Sequence, residues 1–478
     1  MASTSTMQRA RRASNHEFLE RLRLLPMTTS TPLRVAVIGA GPAGIYASDI
    51  LVKNTEGDVA IDLIEQMPAP FGLIRYGVAP DHPRIKGIIK SLHRVLDTPQ
   101  IRLLGNIHVG RDVSVEELQQ YYDAVVFATG AVGDRSIGIP GEDLEGVHGA
   151  GEFVGFYDGN PRFERDWDLS AKEVAVIGVG NVGLDVARIL AKTGDELLVT
   201  EIPDNVYASL KDNQAETVRV FGRRGPAQVK FSPQELKELD HSPTINVVVD
   251  PEDIDYDAAS EQARRDSKSQ DLVCQIIEGY ALREPKEAPH ALQIHLFENP
   301  VEILGENGKV VGLRTERTEL AGDGSVRGTG KFTDWPVQAI YAAVGYRSDA
   351  IDGVPFNDAQ HVINNDGGHV VDLDGAIVPG LYTTGWIKRG PVGLIGNTKS
   401  DAKETIDMLL SDAKAGLLGA EYTSDFTELL RERGIDYTTW EGWHALDAAE
   451  RALGEAEDRE RKKIVEWEEM VEASKVTV

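Results

Sequence analysis

The sequence of 478 residues predicts an α/β protein with two Rossmann-like domains, because a glycine-rich turn twice follows a short apolar run. The first turn, residues 39–44 (GAGPAG), follows residues 35–38 (VAVI). The second turn, residues 178–183 (GVGNVG), follows residues 174–177 (VAVI). A helical pattern comes after each turn, which is the strand–turn–helix order of dinucleotide-binding domains. Two such turns in one chain favour a flavin and a nicotinamide held together for hydride transfer.

The composition limits the possible functions. No run approaches the roughly 20 apolar residues of a membrane-spanning helix, so no membrane span is predicted. Cys274 is the single cysteine. It excludes a disulfide framework, a CxxC redox pair and cysteine-ligated iron–sulfur clusters within this chain. We therefore exclude disulfide-exchanging flavoproteins, predict no metal site, and expect a cytoplasmic protein.

The charge is strongly negative, with 50 basic and 77 acidic residues giving a formal net charge of −27. A chain this acidic does not attract nucleic acid or an anionic membrane through its overall field. An acidic redox partner would have to meet a local basic patch.

Five segments are expected along the chain. Residues 1–30 are rich in Ser, Thr and Arg and lack the apolar core of a signal peptide, so they predict a disordered leader, with Met27 as a candidate natural start. Residues 31–133, 134–345 and 346–415 are expected to form three successive segments, and the first and second are each built on one glycine turn. Residues 416–478 predict an acidic helical C-terminal extension anchored by Trp440, Trp443 and Trp467.

The first glycine turn predicts the binding of FAD or NAD. Gly39 permits the tight turn, Gly41 lets the backbone approach a pyrophosphate, and Gly44 lets the helix pack closely on the strand. Glu65 ends the predicted second strand, 21 residues after Gly44. A carboxylate there accepts hydrogen bonds from ribose hydroxyls and repels a 2′-phosphate.

The second glycine turn predicts NADP(H) instead. Residues 218–225 (VRVFGRRG) place Arg223 and Arg224 where the first domain has Glu65. Arginine side chains pair with phosphate oxygens, so this site should select the 2′-phosphate. More residues than usual separate Gly183 from Arg223, which predicts an insertion over residues 195–216.

A third glycine-rich segment, residues 385–396 (GWIKRGPVGLIG), precedes a predicted helix over residues 397–413. Its small residues would let the backbone pack against a flat ring. The N-terminus of the helix would stabilise a reduced, anionic flavin.

A basic face is predicted next to residues 70–83 (PFGLIRYGVAPDHP), a segment too apolar for a free loop. Arg84, Lys86, Lys90 and Arg94 follow it, and Asp81 is the one acid between Arg75 and Arg94. This face is a candidate dock for an acidic electron carrier. A second, weaker candidate consists of Arg264, Arg265 and Lys268.

Together these residues resemble ferredoxin–NADP⁺ reductases of the adrenodoxin reductase-like type, the actinobacterial NADPH-ferredoxin reductases in particular. The matching stretches are VIGAGPAG, PFGLIRYGVAPDHPRIK, IPGEDL, VIGVGNVGLDVARIL, GRRGPAQVKFSPQELKEL and GWIKRGPVGLIG. The resemblance implies an FAD domain interrupted by an inserted NADP domain. It also implies electron transfer from NADPH to FAD N5 as hydride, and then as single electrons to an iron–sulfur ferredoxin.

The resemblance further implies the roles of individual residues. FAD contacts are expected from Ala43, Glu65, Leu73, Val109, Trp386, Gly393, Leu394 and Ile395. NADP contacts are expected from Arg135, Val179, Gly180, Asn181, Val182, Arg223, Arg224, Glu235 and Gly393. His82 stands at the position of the family's active-site histidine, with Glu238 and Asp185 as candidate partners, although its role could equally be structural. Phe71 and Gly183 depart from the family's usual tryptophan and alanine. A monomer or weak dimer is expected.

Three alternatives stay open at this level. The chain could be an NADPH dehydrogenase that passes electrons to a quinone or another small acceptor. It could be the flavoprotein subunit of a larger complex of the glutamate synthase kind, although such subunits normally carry cysteine-ligated clusters. It could also be a non-catalytic NADP-binding scaffold.

Overall fold

The computed structural model describes residues 32–393, 395–420 and 424–475, without the side chains of Arg84 and Ile395. The predicted leader, residues 1–30, lies outside the described residues. The chain folds into two compact units. Unit 1 contains residues 32–78, His82–Gly133 and the chain from Tyr346 onward, and unit 2 contains Ala79–Asp81 and Asp134–Gly345.

Short strands and helices alternate along most of the described chain. The strands are β1 (Leu33–Ile38), β2 (Val59–Ile64), β3 (Ile101–Leu104), β4 (Ala124–Phe127), β5 (Gly133–Asp134), β6 (Val147–Gly149), β7 (Glu173–Ile177), β8 (Thr217–Phe221), β9 (Ile245–Val249), β10 (His290–His295), β11 (Glu298–Glu306), β12 (Lys309–Leu320), β13 (Val326–Trp335), β14 (Ala339–Ala342), β15 (Tyr346–Arg347), β16 (Phe356–Asn357), β17 (Val362–Ile363), β18 (Asn365–Asp366), β19 (His369–Val371) and β20 (Ile377–Thr383). The helices are α1 (Pro42–Asn54), α2 (Leu73–Tyr76), α3 (Pro83–Lys86), α4 (Ile89–Leu96), α5 (Val115–Tyr121), α6 (Ala150–Tyr157), α7 (Asn181–Ala191), α8 (Gly194–Leu197), α9 (Asp204–Lys211), α10 (Pro233–Leu239), α11 (Ala258–Asp266), α12 (Lys268–Leu282), α13 (Trp386–Arg389), α14 (Ile395–Lys414), α15 (Phe426–Glu432), α16 (Trp440–Glu455) and α17 (Trp467–Ala473).

Unit 1 is built on a seven-stranded sheet in the order β18-β19-β20-β4-β1-β2-β3. The strands from β20 to β3 are parallel, and β18 and β19 add an antiparallel edge. Both faces are covered, since Val35 and Val37 of β1 enter one core cluster and Ala36 and Ile38 enter another. Burial on both faces is why β1 reads as a continuous apolar run. The strand order reverses at β1, whose carboxyl end is therefore a ligand-binding position.

Unit 2 repeats this plan with a six-stranded parallel sheet in the order β6-β14-β7-β8-β10-β9. Its central strand β7 also buries alternate side chains in two clusters. The predicted insertion over residues 195–216 contains most of α8 and all of α9. The sequence analysis did not predict the antiparallel ribbon of β11, β12 and β13, which forms a separate sheet in unit 2.

The C-terminal extension is helical, as predicted, and packs on the core of unit 1. Trp440, Trp443 and Met470 belong to the core cluster of β1 and β2, and Trp467 packs against it. The predicted aromatic anchors are therefore confirmed as packing residues. Among the described residues, no helix combines the length and apolar character needed to cross a bilayer.

A buried ion pair joins the extension to α2. Arg75, only 3% exposed, donates two hydrogen bonds to the fully buried carboxylate of Glu450, at 3.0 and 2.5 Å. The Arg75 guanidinium also lies over the Trp443 ring, 5.2 Å from its centroid. Arg75 therefore does not contribute to a basic surface, because its charge is neutralised inside the unit.

We expect Glu450→Ala to lower the free energy of unfolding by about 3–5 kcal/mol, because it leaves Arg75 as an uncompensated buried charge. Thermal and denaturant unfolding would measure the loss. The control is Glu455→Ala, which removes an exposed glutamate from the end of the same helix and should cost less than about 0.5 kcal/mol. Equal effects of the two substitutions would contradict a special role for the buried pair.

Candidate functional site

The first glycine turn lies at the carboxyl end of β1 and begins α1. Gly39 has a φ of +107°, which favours glycine. A Cβ on Gly44 would lie 1.9 Å from the Gly39 carbonyl oxygen and 3.2 Å from Val37 Cγ1, so α1 could not pack this closely with any side chain there. A Cβ on Gly41 would meet only Gly72 Cα, at 4.0 Å. The turn is thus tight where helix meets strand and open at its tip.

Glu65 holds this turn from the end of β2. Its Oε2 accepts a hydrogen bond from the Ala40 N–H at 2.7 Å, and its Oε1 accepts one from the Met67 N–H at 3.0 Å. The side chain is buried. The predicted ribose-binding carboxylate therefore lies against the backbone of the glycine turn.

The segment around Trp386 is ordered by Asp401, which the sequence analysis missed. The Asp401 carboxylate accepts hydrogen bonds from the Gly385 N–H at 2.5 Å and the Thr384 hydroxyl at 3.1 Å. A Cβ on Gly385 would lie 2.7 Å from Ala43 Cβ, so this segment comes within van der Waals distance of α1. Trp386 begins α13 and stacks on Tyr346 with ring centroids 6.2 Å apart. No sequence pattern marked Asp401, because the backbone and hydroxyl groups that it accepts from lie 16 and 17 residues away.

The other predicted FAD residues also belong to unit 1. Leu73 begins α2 and is half-buried, and Val109 is buried. Gly393 has a φ of +89°. Leu394 lies outside the described residues, and Ile395 is the first residue of α14.

The second glycine turn repeats the geometry of the first at the carboxyl end of β7. Gly178 has a φ of +133°, and a Cβ on Gly183 would lie 2.6 Å from the Gly178 carbonyl oxygen. A Cβ on Gly180 would meet nothing within 4 Å, which leaves the backbone open to a ligand. The Asn181 side chain accepts a hydrogen bond from the Ser232 N–H at 2.8 Å. Val179 and Val182 are half-buried on either side.

Arg223 and Arg224 follow β8 directly. Arg223 is exposed and Arg224 is half-buried. Within the described part of the chain, neither guanidinium makes a hydrogen bond or an ion pair. Two adjacent guanidinium groups without partners among the described residues have the charge and geometry that pair with phosphate oxygens.

The three predicted catalytic residues fall in different units. His82 is 4% exposed and is the N-cap residue of α3 in unit 1. Asp185 and Glu238 belong to unit 2, as does the predicted NADP ligand Glu235. The Glu238 carboxylate accepts a hydrogen bond from Gln234 at 3.0 Å, and Asp185 pairs with Arg188 at 2.8 Å. The pairing of His82 with these carboxylates stays a prediction.

Arg188 organises the acidic groups of unit 2 and was missed by the sequence analysis. It is 1% exposed and pairs with Asp81 at 2.8 Å, with Asp185 and, at 3.6 Å, with Glu235. Lys192 also contacts Asp81, at 2.8 Å. Burial opposes ionisation of Asp81, but Arg188 and Lys192 together hold the pKa of its carboxyl well below the ordinary range. Asp81 is therefore an ionised member of this network.

The remaining predicted NADP residue, Arg135, lies at the start of the Asp134–Gly345 segment of unit 2. Its N–H donates a hydrogen bond to the Gly345 carbonyl at 3.0 Å. Its side chain passes Gly345, where a Cβ would come within 3.7 Å of Arg135 Cδ.

Known proteins share this arrangement over nearly the whole chain. Residues 33–221 match the family described as pyridine nucleotide-disulphide oxidoreductase. The chain is 39% identical over 456 residues to NADPH-ferredoxin reductase FprA of Mycobacterium tuberculosis, covering 92% of this chain and 98% of that protein. It is 37% identical to the mitochondrial NADPH:adrenodoxin oxidoreductase of Homo sapiens, covering 92% of this chain and 91% of that protein. The chain belongs to the NADPH-ferredoxin and adrenodoxin reductase family.

This membership confirms the predicted fold class, the resemblance and the assignment as an oxidoreductase enzyme. The structure of Mycobacterium tuberculosis FprA in complex with NADPH matches with a TM-score of 0.85 and 38% sequence identity. That match covers 93% of this chain and 99% of the relative. The roles predicted for individual residues stay predictions.

We expect Gly44→Ala to lower the free energy of unfolding by about 1–3 kcal/mol, because the added methyl group must displace α1 from β1. Denaturant unfolding would measure the change. The control is Gly279→Ala in α12, where a Cβ meets nothing within 4 Å. This substitution should raise stability by about 0.5–1 kcal/mol through helix propensity. A Gly44→Ala protein as stable as the natural one would show that α1 can shift freely.

Proposed function

We propose that this family member is an FAD-containing NADPH-ferredoxin reductase that passes electrons to an acidic iron–sulfur ferredoxin. The observation that carries the proposal is the contrast between two otherwise equivalent turns. After the strand that follows each glycine turn and its helix, unit 1 has the buried carboxylate of Glu65, and unit 2 has Arg223 and Arg224, whose guanidinium groups have no partner among the described residues. The first arrangement repels a 2′-phosphate and the second attracts one.

FAD fits unit 1. The open tip at Gly41 lets a pyrophosphate approach the start of α1, where backbone N–H groups without helical partners point outward. Glu65 lies where ribose hydroxyls are recognised. The glycine-rich segment that contains Gly385, Trp386 and Gly393 is the part of unit 1 that we expect to pack against the flat flavin ring. We assign the predicted FAD contacts of unit 1 to this cofactor.

NADPH fits unit 2 for parallel reasons. The open backbone at Gly180 and the start of α7 would receive the pyrophosphate, and the arginine pair would receive the 2′-phosphate. Asn181 is held by Ser232, so the turn is fixed before the coenzyme arrives. FAD, when bound, accepts a hydride from NADPH and releases single electrons to a one-electron carrier. We assign to His82, as the predicted active-site histidine, the orientation of the flavin and the handling of its N5 proton.

The basic face around α4 is our candidate dock for the ferredoxin. Lys90 and Arg94 are exposed four residues apart on one helix, so they point the same way. Among the described residues neither forms an ion pair. The alternative patch is weaker, because Arg264 already pairs with Asp271 and Glu278. An acidic protein would be recognised by free cations in preference to neutralised ones.

The experiment that tests the proposal is an anaerobic titration of the FAD-loaded protein with NADPH and, separately, with NADH, followed by flavin absorbance. Bleaching with a clear preference for NADPH is the expected result. A flavin that NADPH cannot reduce would overturn the reductase assignment and favour the scaffold. Cytochrome c reduction that depends on added ferredoxin is also expected. Reduction that proceeds equally with a quinone alone would favour the small-acceptor alternative.

We expect Arg223→Ala and Arg224→Ala to raise KM for NADPH by about tenfold or more each and to leave KM for NADH nearly unchanged. A charge-assisted bond to phosphate contributes roughly 1.5–3 kcal/mol, and NADH lacks the 2′-phosphate. Steady-state kinetics with both coenzymes measures the effect. The control is Arg327→Ala, an exposed arginine in the same unit that pairs with Glu319. Equal changes for both coenzymes would contradict recognition of the 2′-phosphate.

We expect Lys90→Glu and Arg94→Glu, combined, to raise KM for ferredoxin by about tenfold at low salt, because the change reverses the field that attracts an acidic partner. The rate of flavin reduction by NADPH should stay unchanged. Arg265→Glu, on the weaker patch, is the control for the change in net charge. A control that slows ferredoxin reduction equally would show that overall charge, and not the α4 face, determines docking.

A further inference from the structure

The arginine turn, residues 222–225 (GRRG), is fixed along one edge by backbone hydrogen bonds from the β10–β11 connection. The Gly222 N–H donates to the His295 carbonyl at 2.9 Å, and the Gly222 carbonyl accepts from the Glu298 N–H at 3.0 Å. The Arg224 carbonyl accepts from the Phe297 N–H at 3.3 Å. These contacts hold Gly222 and Arg224, and none of them involves the carbonyl of Arg223 between them.

The Arg223 carbonyl is held by a side chain from the antiparallel ribbon. The hydroxyl of Thr318, on β12, donates a hydrogen bond to this carbonyl at 2.7 Å, across 95 positions of sequence. Thr318 is 7% exposed, so water does not readily replace the bond. Its own N–H donates to the Phe297 carbonyl at 2.8 Å, which fixes β12 relative to the turn.

Thr318 lies beside an irregularity in the ribbon. The pairing of β12 with β13 shifts between Glu316 and Thr318, where residues 329–331 of β13 lie opposite Arg317 alone, while Arg317 pairs with Glu298 of β11. Arg317 is anchored in turn by Asp253, at 2.6 Å, and its guanidinium lies 5.5 Å from the centroid of the Phe297 ring.

The Phe297 ring packs against the arginine turn at Gly225. A Cβ on Gly225 would lie 2.4 Å from Phe297 Cζ, so the glycine backbone rests directly on the ring. Phe297 is buried and adopts a φ of +57°, which is uncommon for a bulky residue. A costly backbone conformation persists where the surroundings fix it, and here it brings the ring beneath the turn.

We propose that Thr318 is a positioning residue for coenzyme selection: its hydroxyl fixes the arginine turn, so that Arg223 and Arg224 meet the 2′-phosphate of NADP(H). The inference rests on the proposed function of these two arginines. Long, unpartnered side chains lose conformational freedom when they bind, and a fixed backbone reduces that loss.

The test compares Thr318→Val with Thr318→Ser, which keeps the hydroxyl, and with Thr329→Val. Thr329 is also on the ribbon and donates its hydroxyl to a carbonyl, that of Arg317, which is not part of the arginine turn. All variants are assayed as FAD-loaded enzyme for KM and kcat with NADPH and NADH. Binding of 2′,5′-ADP and 5′-AMP is measured separately by calorimetry. Unfolding curves report any loss of stability.

Thr318→Val should raise KM for NADPH and Kd for 2′,5′-ADP by about three- to tenfold, the range for one lost hydrogen bond. The kcat with NADPH, KM for NADH and Kd for 5′-AMP should stay unchanged. The Thr318→Ser and Thr329→Val proteins should have the same preference for NADPH over NADH as the natural protein.

Three outcomes would overturn the inference. Equal effects of Thr318→Val on the phosphorylated and unphosphorylated ligands would show a general structural role. The absence of any effect, while Arg223→Ala and Arg224→Ala still change selectivity, would show that the arginines need no positioning by Thr318. If the arginine variants themselves leave selectivity unchanged, the proposed coenzyme site is wrong and this inference fails with it.

Discussion

Both units depend on one constraint, which is the close packing of a helix against the strand before it at each glycine turn, where an added Cβ would force the helix to shift. A Cβ on Gly44 or on Gly183 would collide with the carbonyl oxygen at the start of its own turn, at 1.9 and 2.6 Å. The close approach brings the helix N-terminus to the strand end, so that its free N–H groups face the point where the strand order reverses. The glycine between them, Gly41 or Gly180, leaves the tip of each turn open.

Charge then distinguishes the two units. The chain is acidic overall, so cations without partners are informative. Glu65 is buried against its own glycine turn, whereas Arg223 and Arg224 have no partner among the described residues. The same backbone plan thus presents a carboxylate in one unit and two guanidinium groups in the other. Under the proposed function, this difference of a few side chains at one strand end underlies the two coenzyme preferences.

Buried ion pairs connect segments that are far apart in sequence. Arg75 meets Glu450 of the C-terminal extension, and Arg188 meets Asp81. Arg102 joins Asp62 at 2.7 Å and Asp425 at 2.9 Å. Breaking such a pair leaves a charge without compensation in a medium of low dielectric constant. These pairs therefore fix the segments next to both glycine turns, although none of these charges is assigned a direct role in the reaction.

The sequence by itself determined the two parallel-sheet units, the glycine turns, the contrast of Glu65 with Arg223 and Arg224, and the tryptophan-anchored extension. Each of these depends on residues close together in the chain, where the apolar run, the turn and the helix follow in order. Only the tertiary structure revealed the antiparallel ribbon, the hydrogen bond from Thr318 to the arginine turn, the burial of Arg75, and the contacts of Asp401 and Arg188. Their partners are distant in sequence or are backbone groups, and neither kind of contact leaves a local pattern. The local order of residues decides which elements form, and long-range packing decides which side chains stay free to bind.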